Sequence, residues 1–588
     1  MRLLTALIAA VLAFAAPASS ALAAGCTLRK VADLPVTMVN LRPMISAQVN
    51  GQDVKLFIDT GAFMSSLSPG AAARLGLRTG ALPPWVHIQG LTGEADMRLA
   101  SVKVFTFLDV PFHNVDFLVG EHGLSADGLI GEDVLGRLDI EYDFANGVVR
   151  LFSPANCGSN DVLAYWSQDG AIGIATLTPS LNQLSKDIIS AATLNGRKIH
   201  VMLDTGTPRS AVKLSAARRA GIDVTAPGVV SAGLAQGVGR RTIDSWLAPF
   251  DSFEFGGEQI KGSKLRVADY ELEEADMLLG TDFFLSHRIF VSRSQSRIYF
   301  TYNGGRVFNL EDGPSSAPTT TQAAAGSGGQ SPPETPLDAA GYSRRAAAEG
   351  ARLEYDQAIA DETSAIGLEP TNATYFYDRA ATRMRARQRA AAQEDLDQAL
   401  KLKPDLEPAL LMRGELRLVG RDPAGAKADF DAAVRLSPAA AARVGAIYLT
   451  MGDFETAVTD LSVWIDSQPK GEDLAPALAN RCRARALWNH DLDKAMADCN
   501  QAIRYQSGVG AFFASRGLVQ LRLGKLDPAL ADFNHAVSLQ PNVPWALYGR
   551  AVVELRQGKK TEGDADLAAA ATLDPHITQQ ATRVGLAP

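Results

Sequence analysis

Asp-Thr-Gly occurs twice in this chain, at Asp59–Gly61 and Asp204–Gly206, and the residues around the two copies repeat at one fixed interval. Asn50-Gly51 and Asn195-Gly196, Ser65 and Ser210, and Gly76 and Gly221 are all separated by the same 145 residues (204 − 59). The first half of the chain is therefore one folding unit used twice. Asn-Gly between alternating apolar residues specifies a two-residue hairpin, because both turn residues take positive φ. The second strand of each hairpin, Val54 to Ile58 or Ile199 to Leu203, then runs directly into Asp-Thr-Gly. A short helix is expected next in each copy, Pro69 to Leu75 after Ser68 and Ala216 to Ala220 after Ser215, each closed by a glycine. A second shared motif follows: Ala126-Asp127-Gly128-Leu129-Ile130-Gly131-Glu132-Asp133 parallels Ala275-Asp276-Met277-Leu278-Leu279-Gly280-Thr281-Asp282. Here the offset is 149 (280 − 131), so the second copy carries a four-residue insertion between its motifs.

Composition changes near Asn309. The preceding residues, rich in Val, Ile, Leu and Phe with Gly punctuation, read as mainly β. Residues 311–338, with Gly313-Pro314-Ser315-Ser316 and Gly326-Ser327-Gly328-Gly329, have almost nothing to bury and read as a flexible linker. Beyond them Ala358, Ala392 and Ala426 recur every 34 residues, as do Pro370, Pro404 and Pro438. Thirty-four is the period of the tetratricopeptide repeat, two antiparallel helices with small residues at their crossing and proline after the second. Residues 340–588 accommodate about seven such repeats. The expected organisation is a signal peptide at 1–24, one lobe at 27–157, a second at 171–308, the linker, and an all-α solenoid.

An isolated Asp-Thr-Gly is a common turn. Here each copy follows an apolar strand and precedes a serine six residues after the Asp. An apolar-apolar-Gly-x-Asp motif comes 72 residues on in one copy (131 − 59) and 76 in the other (280 − 204). In this the sequence resembles the retropepsin-like aspartic peptidases, and in carrying two lobes in one chain it resembles the pepsin-like ones, over roughly residues 35 to 305. The resemblance implies two acid-protease-like β lobes and an aspartic-type endopeptidase with Asp59 and Asp204 as the catalytic pair. Two adjacent carboxylates cannot both ionise easily, so one keeps a proton while the other activates water. Thr60 and Thr205 would then bond across the lobe interface, while Gly61 and Gly206 let the backbone approach the pair. Gly131 and Gly280 would lie beneath the catalytic loops, with Asp133 and Asp282 as structural hydrogen-bonding residues. Flaps closing over substrate are expected at Gly90, Leu91, Thr92 and Gly93 in the first lobe, and around Gly233 and Gly237 in the second. His87 reads as an ordinary strand residue.

At 588 residues the chain is long enough for several domains. Met1-Arg2, the apolar run Leu3 to Ala16 and the small residues Ser19 to Ala24 have the order of a cleavable signal peptide. Cleavage near residues 23–24 implies a periplasmic or secreted bacterial protein with no transmembrane helix in the mature chain; lipid attachment at Cys26 is the alternative. Four cysteines in an exported chain permit the disulfides Cys26–Cys157, tying the ends of the first lobe, and Cys482–Cys499, within one helical pair. No cofactor or metal is implied, for histidines number 8 and no CxxC pair occurs. The net charge of −8 is spread without a basic face, so nucleic acid is not an expected partner. The expected partners are a peptide or protein substrate and a protein bound by the repeats, and a monomer suffices for the pair. The alternative function is a non-catalytic exported scaffold that retains the peptidase fold. Because the linker offers no apolar surface for docking, a chain ending near Gly313 is expected to fold and cleave by itself.

Overall fold

The computed structural model describes residues 25–82, 88–91, 93–108, 110–120, 126–167, 172–180, 186–236, 242–272, 274–308, 337–467 and 474–588. The signal segment and nearly all of the expected linker lie outside the described residues, as does His87. The chain divides into two compact units, Met1–Pro370 and Thr371–Pro588.

The first unit holds both lobes. Each starts at its Asn-Gly hairpin, where Asn50 and Gly51 have φ of 51° and 80° and Asn195 and Gly196 have 48° and 74°. In the first lobe Gln52–Ile58 runs parallel to Gly128–Ile130, which itself pairs antiparallel with Ser66–Leu67. The second lobe repeats this with Arg197–Leu203, Met277–Leu279 and Ala211–Lys213. Each sheet curls closed into a barrel. Arg42–Val49 meets Arg98–Phe107 in the first lobe, and Ile189–Leu194 meets Thr242–Phe255 in the second. Burial follows the pleat: Val54, Leu56, Ile58 and their counterparts Ile199, Val201 and Leu203 have almost no exposed surface.

The short helices differ in how they begin. Ser68 caps Pro69–Arg74, its Oγ accepting from the N–H of Ala71 at 3.1 Å. Ser215 does not cap the second. That helix spans Leu214–Arg219 and starts directly from the strand Ala211–Lys213, which is held parallel to Glu258–Ala268, so Ser215 falls inside its first turn.

Six strands of a 13-stranded sheet join the lobes, in the order Thr27–Pro35, Val148–Ala155, Asp139–Asp143, His287–Ser292, Arg297–Tyr302, Gly173–Thr178. Three strands come from each side and meet at Ile140↔Val291 and Tyr142↔Ile289. Within it the buried Glu141 and Asp143 are neutralised by Arg150 and Arg288, and the Arg288 guanidinium lies 4.6 Å from the centre of the Trp166 ring. The Cys26–Cys157 disulfide closes the outer edge of the first lobe's strands.

Sequence periodicity assigns Ala339–Ala351 and Tyr355–Leu368 to the repeat array, yet the fold places this first helical pair in the unit that contains the lobes. Ala348, fully buried, belongs to the same core as Val36, Val149 and Phe284. A Cβ on Gly147 would collide with Arg344, and Arg352 donates to the carbonyl of Leu285 at 3.3 Å. The expectation that nothing beyond the linker docks on the β half is therefore corrected. Docking does not need an apolar linker, because the apolar surface is supplied by the helix that follows it.

Among the described residues the second unit contains six further helical pairs, from Ala373–Arg385 to Lys560–Leu573, and a last helix Ile577–Arg583. Ala392, Ala426, Ala457, Ala495 and Ala529 are fully buried where paired helices cross. Most pairs carry an arginine on the first helix gripping an aspartate 16 residues on with both carboxylate oxygens: Arg379–Asp395, Arg413–Asp429, Arg516–Asp532 and Arg550–Asp566. Arg481–Asp498 repeats the grip at a spacing of 17. The Cys482–Cys499 disulfide, wholly buried, lies beside it.

Candidate active site

The strands Gln52–Ile58 and Arg197–Leu203 deliver Asp59 and Asp204 to one place. Each aspartate's N–H bonds to the end of the neighbouring parallel strand, Asp59 to the Ile130 carbonyl at 3.0 Å and Asp204 to the Leu279 carbonyl at 2.9 Å. The threonines that follow lock the lobes together. Thr60 Oγ1 donates to the Leu203 carbonyl at 2.7 Å and accepts from the N–H of Thr205 at 3.0 Å. Thr205 Oγ1 donates to the Ile58 carbonyl at 2.8 Å and accepts from the N–H of Thr60 at 3.1 Å. These four bonds are buried, where hydrogen bonds gain strength from the low local dielectric.

Gly61 and Gly206 are required by space. A Cβ on Gly61 would stand 2.6 Å from Asp204 Cγ, and one on Gly206 would press equally on the Asp59 carboxyl. Gly61→Ala or Gly206→Ala should therefore displace the opposite carboxylate and cost peptide cleavage about 100-fold, the size of effect expected from misplacing a catalytic group by about 1 Å. Steady-state kinetics with circular dichroism as a folding control checks this; near-normal rates in both variants would contradict the packing.

Beneath each loop a serine and an aspartate form a matching brace. Asp133 Oδ1 accepts from Ser65 N–H and Oγ–H at 2.9 and 2.8 Å, and Ser65 Oγ accepts from the N–H of Gly131. Asp282 holds Ser210 in the same way, and Ser210 Oγ accepts from the N–H of Gly280. Burial raises both braced aspartates, Asp282 to about 6.

The two halves are not equivalent around the dyad. Thr207, three residues after Asp204, donates its hydroxyl to Asp204 Oδ2 at 2.7 Å, while Ala62 occupies the matching position after Asp59 and offers its backbone N–H but no side-chain donor. Burial and then the charge of Asp204 push Asp59 up to about 8, and the Asp59 carboxyl donates to Asp204. Burial also raises Asp204, but the Thr207 hydroxyl and the N–H groups of Gly206 and Thr207 oppose the rise. The shared proton therefore sits on Asp59 and the charge on Asp204. Aligning the two copies of the sequence exposes this difference, although neither motif reveals it alone.

Two further groups beside the dyad follow from the fold and from no motif. Arg42 begins the strand Arg42–Val49, and Asp59 and Asp204 are the charges that act on its half-buried guanidinium. Glu132 is buried against Arg293 at 2.5 Å, and burial pushes it up to about 8 despite that partner.

Of the expected flaps, Ile88–Gly90 and Gly93–Ala95 form an antiparallel hairpin with Gly90 opposite Gly93. Leu91 at its tip packs against the second-lobe cluster that includes Met202, Tyr270 and Leu278; Thr92 lies outside the described residues. Gly233 lies in Val230–Gln236, at a bulge against Thr242–Phe255 and with φ of 75°. Gly237 is outside the described residues.

Residues 45–134 and 190–283, one segment in each lobe, match the aspartyl protease family model. Both lobes are thus aspartyl-protease-like in sequence and in fold. Among solved structures the chain is similar to a tetratricopeptide repeat protein from Parabacteroides merdae, at 15% identity over 42% of this chain and 96% of that one, with a TM-score of 0.34. It is also similar to PilW, a type IV pilus biogenesis factor, at 16% identity over 36% and 97%, with a TM-score of 0.30. For the APC/C hetero-tetramer Cut9–Hcn1 the identity is 15% and the TM-score 0.32; the match covers 42% of this chain and 48% of that one. No curated protein matches it.

Proposed function

We propose that the chain is an exported aspartic endopeptidase in which Asp204 is the general base, Asp59 the general acid, and the repeats recruit substrate or a partner protein. The observation that carries the reading is the unequal pair: two buried carboxyl groups meet, Asp204 alone accepts a threonine hydroxyl, and Asp59 is the one pushed up to about 8. Asp204 takes a proton from a water as its oxygen bonds to the peptide carbon, and Asp59 protonates the carbonyl oxygen. The resulting diol collapses when Asp59 recovers its proton from a hydroxyl. Asp204 then passes its proton to the departing nitrogen, the C–N bond breaks, and the dyad is left with one proton. The Leu91 hairpin supports a flap that excludes water from this step. Export accords with the signal-like first residues and with two disulfides, which persist in oxidising compartments.

Digestion of an unstructured peptide library should yield internal cleavages that a peptide mimic with a tetrahedral hydroxyl blocks. Cleavage without such inhibition, or none at all at any pH, would refute the reading. The pH profile is a separate expectation. Activity needs the proton on Asp59, so kcat/KM should persist to neutral pH and fall about tenfold per unit above about 8. A profile already lost between pH 5 and 6 would reassign the proton.

A further inference from the structure

Arg42 opens the strand Arg42–Val49 directly after the turn residues Asn40 and Leu41, whose φ of 49° and 60° fold it back on Thr37–Val39. The strand pairs antiparallel with Gln52–Ile58 in a register that sets Ile45 against Leu56 and Met44 against Phe57. Carried two residues further, that register sets Arg42 against Asp59. Opposed residues of paired strands project from the same face with their Cβ atoms about 5 Å apart. In keeping with this, Asp59 and Asp204 are the charges that support the Arg42 guanidinium, while burial works against it. Among the described residues Arg42 makes no ion pair, and its Nε is buried without a hydrogen-bond acceptor. A buried donor left unanswered costs free energy that an incoming acceptor recovers.

The second lobe differs at this position. Asp187 stands 145 residues after Arg42 (187 − 42), the interval that relates the two lobes. The register that sets Ile189 against Met202, carried on in the same way, sets Asp187 against Asp204. One lobe thus flanks the dyad with a cation and the other with a carboxyl group. A peptide strand laid across both lobes meets the arginine on one side of the cleaved bond only. A dyad that holds one proton carries one negative charge, which repels an acidic side chain brought close to it. A guanidinium beside the dyad offsets that repulsion, and its planar fork of N–H donors matches a carboxylate with two parallel bonds.

Resting on the peptidase reading above, we propose that Arg42 determines substrate specificity by receiving the carboxylate of an Asp or Glu side chain at one position of the bound peptide. A glutamine of the same shape brings one carbonyl and no charge, and a lysine is repelled.

The test uses the full chain and pools of octapeptides, each with Glu fixed at one position, beside twin pools with Gln or Lys fixed there. At one position, on one side of the cleaved bond, Glu should be cut with a kcat/KM about tenfold above Gln. Arg42→Gln should bring that ratio to about one, Arg42→Lys should keep part of it, and Arg42→Glu should turn the preference toward Lys. Loss of an arginine that merely held the strand in place would not invert a preference. The same pools are then bound to the chain carrying Asp59→Asn, read by fluorescence anisotropy, where the Glu preference and its loss in Arg42→Gln should recur without hydrolysis. A Glu preference in binding by a wild-type chain that cuts nothing would sink the peptidase reading and uphold the role of Arg42. Cleavage that treats Glu and Gln alike at every position, or a Glu preference that survives Arg42→Gln, would overturn the proposal and leave the peptidase standing. Neither binding nor cleavage would overturn both. Should a variant fail to fold by circular dichroism, the wild-type comparison of Glu with Gln is by itself enough to overturn the proposal.

Discussion

Asp59→Asn and Asp204→Asn should each lower kcat/KM for an unstructured peptide by about 100- to 10,000-fold, the contribution of a positioned acid or base. Neither should disturb the fold, because an amide preserves shape, and the four buried bonds that lock the lobes together are made by Thr60 and Thr205. The two variants should differ in stability. Asp59 is raised from its ordinary 3.8 to about 8, so between those values the folded chain keeps a proton that the unfolded chain releases. Stability therefore falls as pH rises through this window. An amide at this position does not titrate and removes that loss, so Asp59→Asn should gain Tm over the wild type at pH 8 but not at pH 4. Glu132, also raised to about 8, leaves part of the slope in place. Thermal melts at the two pH values decide the matter; an equal shift at both would mean that Asp59 is not the protonated partner. Retention of most activity by either variant would dismiss the dyad itself.

The second large effect concerns where the chain can be cut. A chain ending at Pro370 should keep its stability and its cleavage of short peptides, whereas one ending at Gly313 should melt at a lower temperature. Losing the first helical pair uncovers the core around Val36 and Phe284, and with it the packing of the buried Ala348 and the partly buried Ala347 and Ala351. One buried and two partly buried methyl groups at up to about 0.8 kcal/mol each come to about 2 kcal/mol. For a body of this size that is about 3 °C in Tm. Calorimetry and peptide cleavage on both truncations supply the check. If the shorter chain melted with the longer one, the helix would be a passenger on the lobes.

What could be read from the residues was what local chemistry encodes. The Asn-Gly turns, the strands entering Asp-Thr-Gly, the Ser68 cap and the 34-residue helical period are each set by neighbours in sequence, and each has its counterpart in the fold. The cysteines also meet as Cys26–Cys157 and Cys482–Cys499. The features that escaped depend on residues far apart in the chain. Nothing near Asp139–Asp143 announces that it will pair with His287–Ser292. Ala339–Ala351 has the periodicity of an array helix, and only the shape of the lobe core shows which surface it meets. Ser215 looks like a cap until the strand before it is known to run on to Lys213.

The unlike residues at Ala62 and Thr207 bear on direction. A polypeptide reads differently from its two ends, whereas a cleft built from two identical halves looks the same from either side and accepts a strand both ways round. Here one wall presents a carboxylate fastened by a hydroxyl, the other a carboxyl group that keeps its proton, and four extra residues separate the motifs of the second half alone. A strand laid across this cleft meets a different environment when reversed, so fusing two copies into one chain gives the site a polarity that a symmetric pair lacks.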